Sequence, residues 1–112
     1  MPQCDPLGHF EQLVMLAILR QDAPPSGAEI ARCLEDNLER DISRGALYAT
    51  LDRLETKGFL RWKIEEGSKE RGRHPRRAYR ITASGLAALR LSYSALHRLG
   101  RGLEEALLKG RA

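Results

Sequence analysis

Three features of this 112-residue sequence predict a mainly helical fold carrying one small β-hairpin. Apolar residues recur at helical spacing in three successive segments before Gly58. The period then switches to two across residues 60–64 and again at 79–81, and from Thr82 onward the helical spacing returns.

The first helix is expected over residues 7–20. Residues 13–19 are apolar at every position, more than a single stripe of a surface helix can bury. Either the rest of the domain wraps this run or a second subunit does. The stretch "QDAPPSG" then breaks the chain. Ser26 and Glu29 stand at capping-box spacing, the hydroxyl accepting from the turn above and the carboxylate reaching back. They open a second helix over 26–38, with Ile30, Leu34 and Leu38 on one face. Cys33 beside that stripe reads as a small core filler. Ser43 is the expected N-cap of a third helix over 43–57, with Ile42 and Leu47 placed as a hydrophobic staple. Leu47, Leu51 and Leu54 form its buried stripe, and Lys57–Gly58 is a stop signal. So short a connection between the second and third helices fits a helix-turn-helix.

After Gly58, the residues Leu60, Trp62 and Ile64 alternate with Arg61, Lys63 and Glu65, as in a half-buried strand. Tyr79 and Ile81 alternate with Arg80 and Thr82 in a second one. "EEGSKERGRHPR" between them is the tip of a hairpin, punctuated by Gly67, Gly72 and Pro75. Thr82 caps a last helix expected to run to Lys109, roughly 40 Å long. Leu86, Leu89, Tyr93, Leu96, Gly100, Leu103 and Leu107 follow alternating spacings of three and four, a coiled-coil-like stripe with one interruption at Gly100. Together with Leu13 and Leu16 of the first helix, these leucines and Tyr93 are the candidate dimerisation residues of a homodimer. Residues 1–82 then form one unit and 83–112 a dimerisation helix.

Helix, helix, helix, hairpin, helix is the order of a winged helix-turn-helix, with the third helix as reading helix and residues 59–82 as wing. The charge follows that order. The net charge is +4, yet residues 1–42 carry three Lys/Arg against eight Asp/Glu, while 43–82 carry eleven against five. The segment "KERGRHPRRAYRIT" alone gathers Lys69, Arg71, Arg73, Arg76, Arg77 and Arg80. A basic loop beside a reading helix suits double-stranded DNA, because each neutralised phosphate releases condensed counterions. On the third helix, the leucine stripe leaves Gly45, Ala49 and Arg53 on the opposite face, with Tyr48 at its edge and Arg44 just after the cap. Small residues let a helix backbone approach DNA, Tyr48 offers a hydroxyl to phosphate, and Arg44 sits where reading helices meet bases.

Other classes fit less well. His9, His74 and His97 are scattered, and no nucleophile stands with a base and an orienting acid, so an enzyme is not expected. "GSKERGR" lacks the Gly-Lys-Ser/Thr ending of a phosphate-binding loop. A metal- or redox-sensing regulator would use Cys4, His9 and Cys33, which do not form a close cluster. A winged helix reused purely to bind protein is the remaining alternative. No cofactor is called for, no apolar run reaches the roughly 18 residues of a membrane span, and the start "MPQCDPLGHF" lacks a secretion signal. With two cysteines, the expected location is the cytoplasm.

The blocks "PLGHFEQLVMLAIL", "SRGALYATLDRLETKGFL" and "RRAYRITASGLAAL" resemble the PadR family of bacterial transcriptional regulators, across nearly the whole chain. The resemblance implies a dimeric winged helix-turn-helix regulator, mostly a repressor, with an extra C-terminal helix for dimerisation. It places Ser43, Gly45, Tyr48 and Arg53 on the reading helix and residues 73–77 on the wing. Tyr79, Thr82 and Gly85 match the pattern that ends the wing and starts the last helix. Some short members bind flat aromatic drugs between tryptophans of their dimerisation helices. The sole tryptophan here, Trp62, falls on the hairpin instead. Operator, target genes and any effector are not legible in the sequence.

Overall fold

Local caps define most of the elements in the computed structural model, which describes residues 7–67, 72 and 74–110. The chain runs α1 (His9–Leu19), α2 (Gly27–Leu38), α3 (Arg44–Thr56), β1 (Leu60–Glu65), β2 (Arg76–Ile81), α4 (Ala83–Gly100) and α5 (Glu104–Lys109). The capping box at α2 is complete: the Glu29 amide donates to Ser26 Oγ at 3.2 Å and the Ser26 amide to Glu29 Oε1 at 2.9 Å. Ser43 caps α3 by accepting from the Ala46 amide at 3.2 Å. Glu35, which the sequence did not single out, holds the turn between α2 and α3 by accepting the Ile42 amide at 3.1 Å.

α1 is the hub, packed against α2, α3, β2 and α4. Its Val14, Met15, Ala17 and Ile18 are buried among Ile30, Leu34, Leu47, Leu51, Leu54, Leu60 and Tyr79. The apolar run of α1 is therefore wrapped mainly by its own domain. Leu13 and Leu16 pack against that core while staying partly exposed. Inside it sits one carboxylate, Glu11, whose side chain is only 6% exposed. It accepts from the Gly8 amide at 2.8 Å and from Lys57 Nζ at 3.0 and 3.2 Å, with Arg53 Nε 3.7 Å away. Burial pushes the Glu11 carboxyl up, but the Gly8 amide, Lys57 and Arg53 more than reverse this and hold it below its ordinary value.

The strands pair antiparallel, with Leu60 opposite Ile81, Trp62 opposite Tyr79 and Glu65 opposite Arg76. β2 is also tied to the loop before α2, where the Tyr79 amide donates to the Pro25 carbonyl at 2.9 Å. The α3 end is a Schellman turn: the Phe59 amide bonds the Leu54 carbonyl and the Gly58 amide the Glu55 carbonyl, both at 2.9 Å. Gly58 supplies the positive φ of +80° that this turn requires. The wing ends on the same spot. Thr82 Oγ1 and Ser84 Oγ both donate to the Gly58 carbonyl, at 2.7 and 3.0 Å, and the Thr82 amide donates to the Phe59 carbonyl at 3.1 Å. A Cβ on Gly85 would lie 3.0 Å from the Phe59 carbonyl carbon and closer still to its oxygen, so only glycine fits.

The last helix departs from expectation. It is not continuous to Lys109 but stops at Gly100, and a separate turn forms α5. Gly102 takes a φ of +86° and donates its amide to Glu104 Oε2 at 3.3 Å. Two glycines within three residues remove the propensity needed to carry a helix through. Leu89 also departs from its expected place in a dimer face. At 3% exposure it belongs to the domain's own core, along with Ala88 and Gly85.

Two outcomes follow for stability. Gly85→Ala is expected to lower stability by about 3 kcal/mol, as an overpacked backbone contact does, measured by urea unfolding. Glu11→Gln is expected to cost about 1–2 kcal/mol near neutral pH. Because the Glu11 pKa is lowered on folding, that contribution is present above its ordinary value of 4.5 and is lost as pH falls through the folded value. The stability gap between the two proteins should therefore close in acid, as read from melts at a series of pH values.

Candidate nucleic-acid interface

α3 turns one face to the core through Leu47, Leu51 and Leu54, all at most 1% exposed. Thr50, also buried, fills the edge of this face and accepts from Arg53 Nη2 at 3.1 Å. The opposite face is open. A Cβ on Gly45 would meet nothing nearer than Ser43 Oγ at 3.8 Å, and Ala49 is exposed beside it. Arg44 is 54% exposed and only loosely paired, its Nη1 3.9 Å from Glu35 Oε2. Ser43 is on the same rim, but its hydroxyl is engaged in capping. Arg53 is partly turned away: its guanidinium reaches Thr50 and the Glu11 carboxylate, so it serves the α1–α3 contact. Glu11 stands 42 positions earlier in the chain, so this pairing could not be inferred locally.

Tyr48 leans off α3 onto the start of α2. A Cβ on Gly27 would lie 2.7 Å from the Tyr48 ring, so the absence of a side chain there makes its seat. The ring remains 43% exposed.

On the wing, adjacent arginines do different things. Arg76 is largely covered, with its side chain 20% exposed. Its Nε donates to Glu65 Oε1 at 3.0 Å, its Nη1 pairs with Glu29 Oε1, and its Nη2 is 2.9 Å from Glu65 Oε1. Burial opposes the charge on Arg76 less than the Glu65 and Glu29 bonds favour it, and its pKa is raised. This residue was expected to meet phosphate, but it clamps the hairpin root to α2 instead. Arg77 points to the other face, its guanidinium 4.1 Å above the centre of the Trp62 ring, and stays exposed. A cation stacked on an indole keeps its outer edge available while losing little conformational freedom. Lys69, Arg71 and Arg73 lie outside the described residues.

Three further cations share the opposite face of the hairpin. Arg61, Lys63 and Arg80 are exposed, with Arg61 directly opposite Arg80. Like charges in that register repel. The alternation across residues 60–65 already carried the signal for Arg61 and Lys63, as that of the second strand did for Arg80. Among the described residues no group of three or more His, Cys, Asp or Glu could hold a metal ion, and no helix is long and apolar enough to cross a membrane.

The outer face of α3 thus carries small residues with an arginine at its first turn, and the hairpin carries exposed cations. Comparison with known proteins identifies the family. The model of the PadR-like transcriptional regulator family matches residues 15–91. A PadR-family transcriptional regulator from Eggerthella lenta is 31% identical, with a TM-score of 0.66 over 86% of this chain and 81% of that one. A PadR-like transcriptional regulator from Bacillus cereus superposes with a TM-score of 0.72 over 88% and 90% of the two chains at 19% identity. For a PadR-family regulator from Clostridium difficile, the score is 0.66 over 90% and 99% at 21% identity. No curated protein matches the sequence. The winged helix of these neighbours, with its mainly helical body and two-stranded hairpin, is the fold described above. The chain belongs to the PadR-like family of transcriptional regulators, DNA-binding proteins rather than enzymes.

Proposed function

We propose that this regulator binds a roughly palindromic operator as a homodimer and acts as a repressor, with α3 in the major groove and the hairpin along the flanking backbone. The observation that carries the reading is the outer face of α3, where Gly45, Ala49 and the exposed Arg44 and Tyr48 have no role in the core. Arg44 is the long donor of that face and can pair bidentately with guanine. Arg77 supplies phosphate contact from the wing, and Lys69, Arg71 and Arg73 at its tip extend it. Repression rests on the family resemblance: a dimer covering an operator excludes other proteins from it. A protein working on the chromosome in this way belongs in the cytoplasm.

The dimer rests on a second observation. Leu91, Tyr93, Leu96, Leu99, Leu103, Leu107 and Leu108 of the C-terminal helices are each more than half exposed. So much apolar surface on one arm is characteristic of an interface. A second copy covering it would set two α3 helices on half-sites about one helical turn apart, roughly 34 Å.

Arg44→Ala should lower affinity for an operator selected from a random pool by about tenfold, and hardly alter binding to a scrambled duplex. Gly45→Leu has open space for its side chain, so it should fold normally and lose operator binding. Competition titrations with thermal melts check both, and operator binding by Gly45→Leu at full strength would remove α3 from the groove. For the dimer, Leu96→Glu combined with Leu107→Glu replaces two exposed residues and spares the core residue Leu89. Light scattering should show monomers that no longer bind the operator, whereas an unmodified protein already monomeric at micromolar concentration would rule out the arrangement.

A further inference from the structure

One carboxylate ties the end of α2 to the start of the reading helix through two contacts. Glu35 lies in the last turn of α2, with its side chain 30% exposed. Its Oε2 accepts from the Ile42 amide at 3.1 Å, and the same oxygen lies 3.9 Å from Arg44 Nη1. Ile42 is buried in the core, so the carboxylate is held at a point that the turn itself fixes. Arg44 is the first residue of α3, and its exposed side chain starts beside that point.

A separation of 3.9 Å is longer than a hydrogen bond. The contact is therefore an attraction between charges, and it leaves the N–H donors of the guanidinium free for a base. Surface pairs of this kind add little stability, so the consequence lies in where Arg44 stands. A long side chain at the start of a reading helix can swing back to a phosphate or forward to a base edge. A fixed opposite charge beside its root favours one of these arcs and lowers the freedom lost on docking. The carboxylate also carries the wrong sign for DNA. Phosphates repel it on every duplex, and only an arginine kept close to it offsets that repulsion.

We propose that Glu35 is a positioning residue for sequence discrimination, which directs Arg44 toward the bases and weakens binding wherever Arg44 finds no guanine. The proposal rests on the reading of α3 given above and adds to it the residue that aims the reader. Where a guanine is present, Arg44 bonds it and stays beside Glu35, so the carboxylate remains neutralised. Where none is present, Arg44 is drawn to phosphate and Glu35 faces the backbone unpaired. The same oxygen that closes the turn between α2 and α3 thereby separates the operator from other duplexes.

The test is fluorescence anisotropy of the full chain on an operator selected from a random pool and on a scrambled duplex, at one salt concentration. Glu35→Gln keeps an oxygen for the Ile42 amide and removes only the charge. It should bind the scrambled duplex about threefold more tightly and the operator about threefold more weakly, lowering the ratio of the two affinities about tenfold. In an Arg44→Ala background the same change should tighten both duplexes alike and leave the ratio unmoved, because the two residues no longer act together. An equal fall of the ratio in that background would mean that Glu35 acts without Arg44, and overturns the proposal. Titrations are run below the melting temperature of every variant, which exposes a purely structural role. Such a role would lower the melting temperature and both affinities together with the ratio intact, and that result also sinks the proposal. If Glu35→Gln keeps the ratio of the unmodified protein while Arg44→Ala lowers it, the reading of α3 stands and the role of Glu35 falls. A ratio unmoved by Arg44→Ala would instead take Arg44 off the bases, removing the underlying reading and the proposal with it.

Discussion

Gly85 lies on the backbone of Phe59, and the directions of three elements depend on that one contact. The chain leaves α3 through a Schellman turn at Gly58 and returns to the same place twenty-four residues later at Thr82. Two hydroxyls then converge on the Gly58 carbonyl, while the Phe59 carbonyl takes the Thr82 amide. With both carbonyls satisfied, α3, the hairpin and α4 radiate from a joint that has no spare volume. Hydrophobic burial elsewhere fills the domain, but it is non-directional and could not by itself fix these angles. The hydrogen bonds and the glycine contact do.

Charge in this protein is divided between holding and meeting. Glu11, Glu29, Glu35 and Glu65 each engage cations or amides of the domain: Glu11 joins α1 to α3, while Glu29 and Glu65 grip Arg76 from either side. Of the acidic first part of the sequence, Glu11 and Glu29 thus serve as internal scaffolding, their charge answered by Lys57, Arg53 and Arg76. Among the described residues, other cations of the hairpin stay exposed, Arg77 over Trp62 and Arg61, Lys63 and Arg80 on the reverse face. A basic surface results less from an excess of arginine than from which arginines the carboxylates leave uncovered.

What could be read in the sequence was whatever depends on neighbours a few residues apart. Ser26 with Glu29, Ser43, Lys57–Gly58 and Thr82 mark element ends within one residue, because caps are local hydrogen bonds. The strand alternation at 60–64 was legible for the same reason. The roles of Arg76 and Arg77 were not, since only the pleat and the position of α2 decide that one faces Glu29 and the other Trp62. Nor could Leu89 be separated from Leu96. Both keep the three-four spacing of a coiled-coil stripe, and the stripe does not say where the helix stops touching its own domain. The helix break was masked in the same way: Gly100 appeared as one interruption of a regular pattern, whereas the turn is made by Gly102, which the pattern does not include.

That change of surroundings along α4 has a mechanical consequence. Its buried residues are Gly85, Ala88 and Leu89, all within the first two turns. Beyond them the apolar side chains from Leu91 onward lie outside the domain. One rigid helix therefore has its base in the joint with α3 and its outer turns on whatever covers them. In the proposed dimer, the spacing between reading helices is then set at the base, where Gly85 meets Phe59. The bend at Gly102 lies past the last core contact, so a change of angle there moves α5 without moving α3. A signal able to alter DNA reading through the C-terminal arm has to rotate α4 about Gly85, Ala88 and Leu89, against tight packing and two satisfied carbonyls.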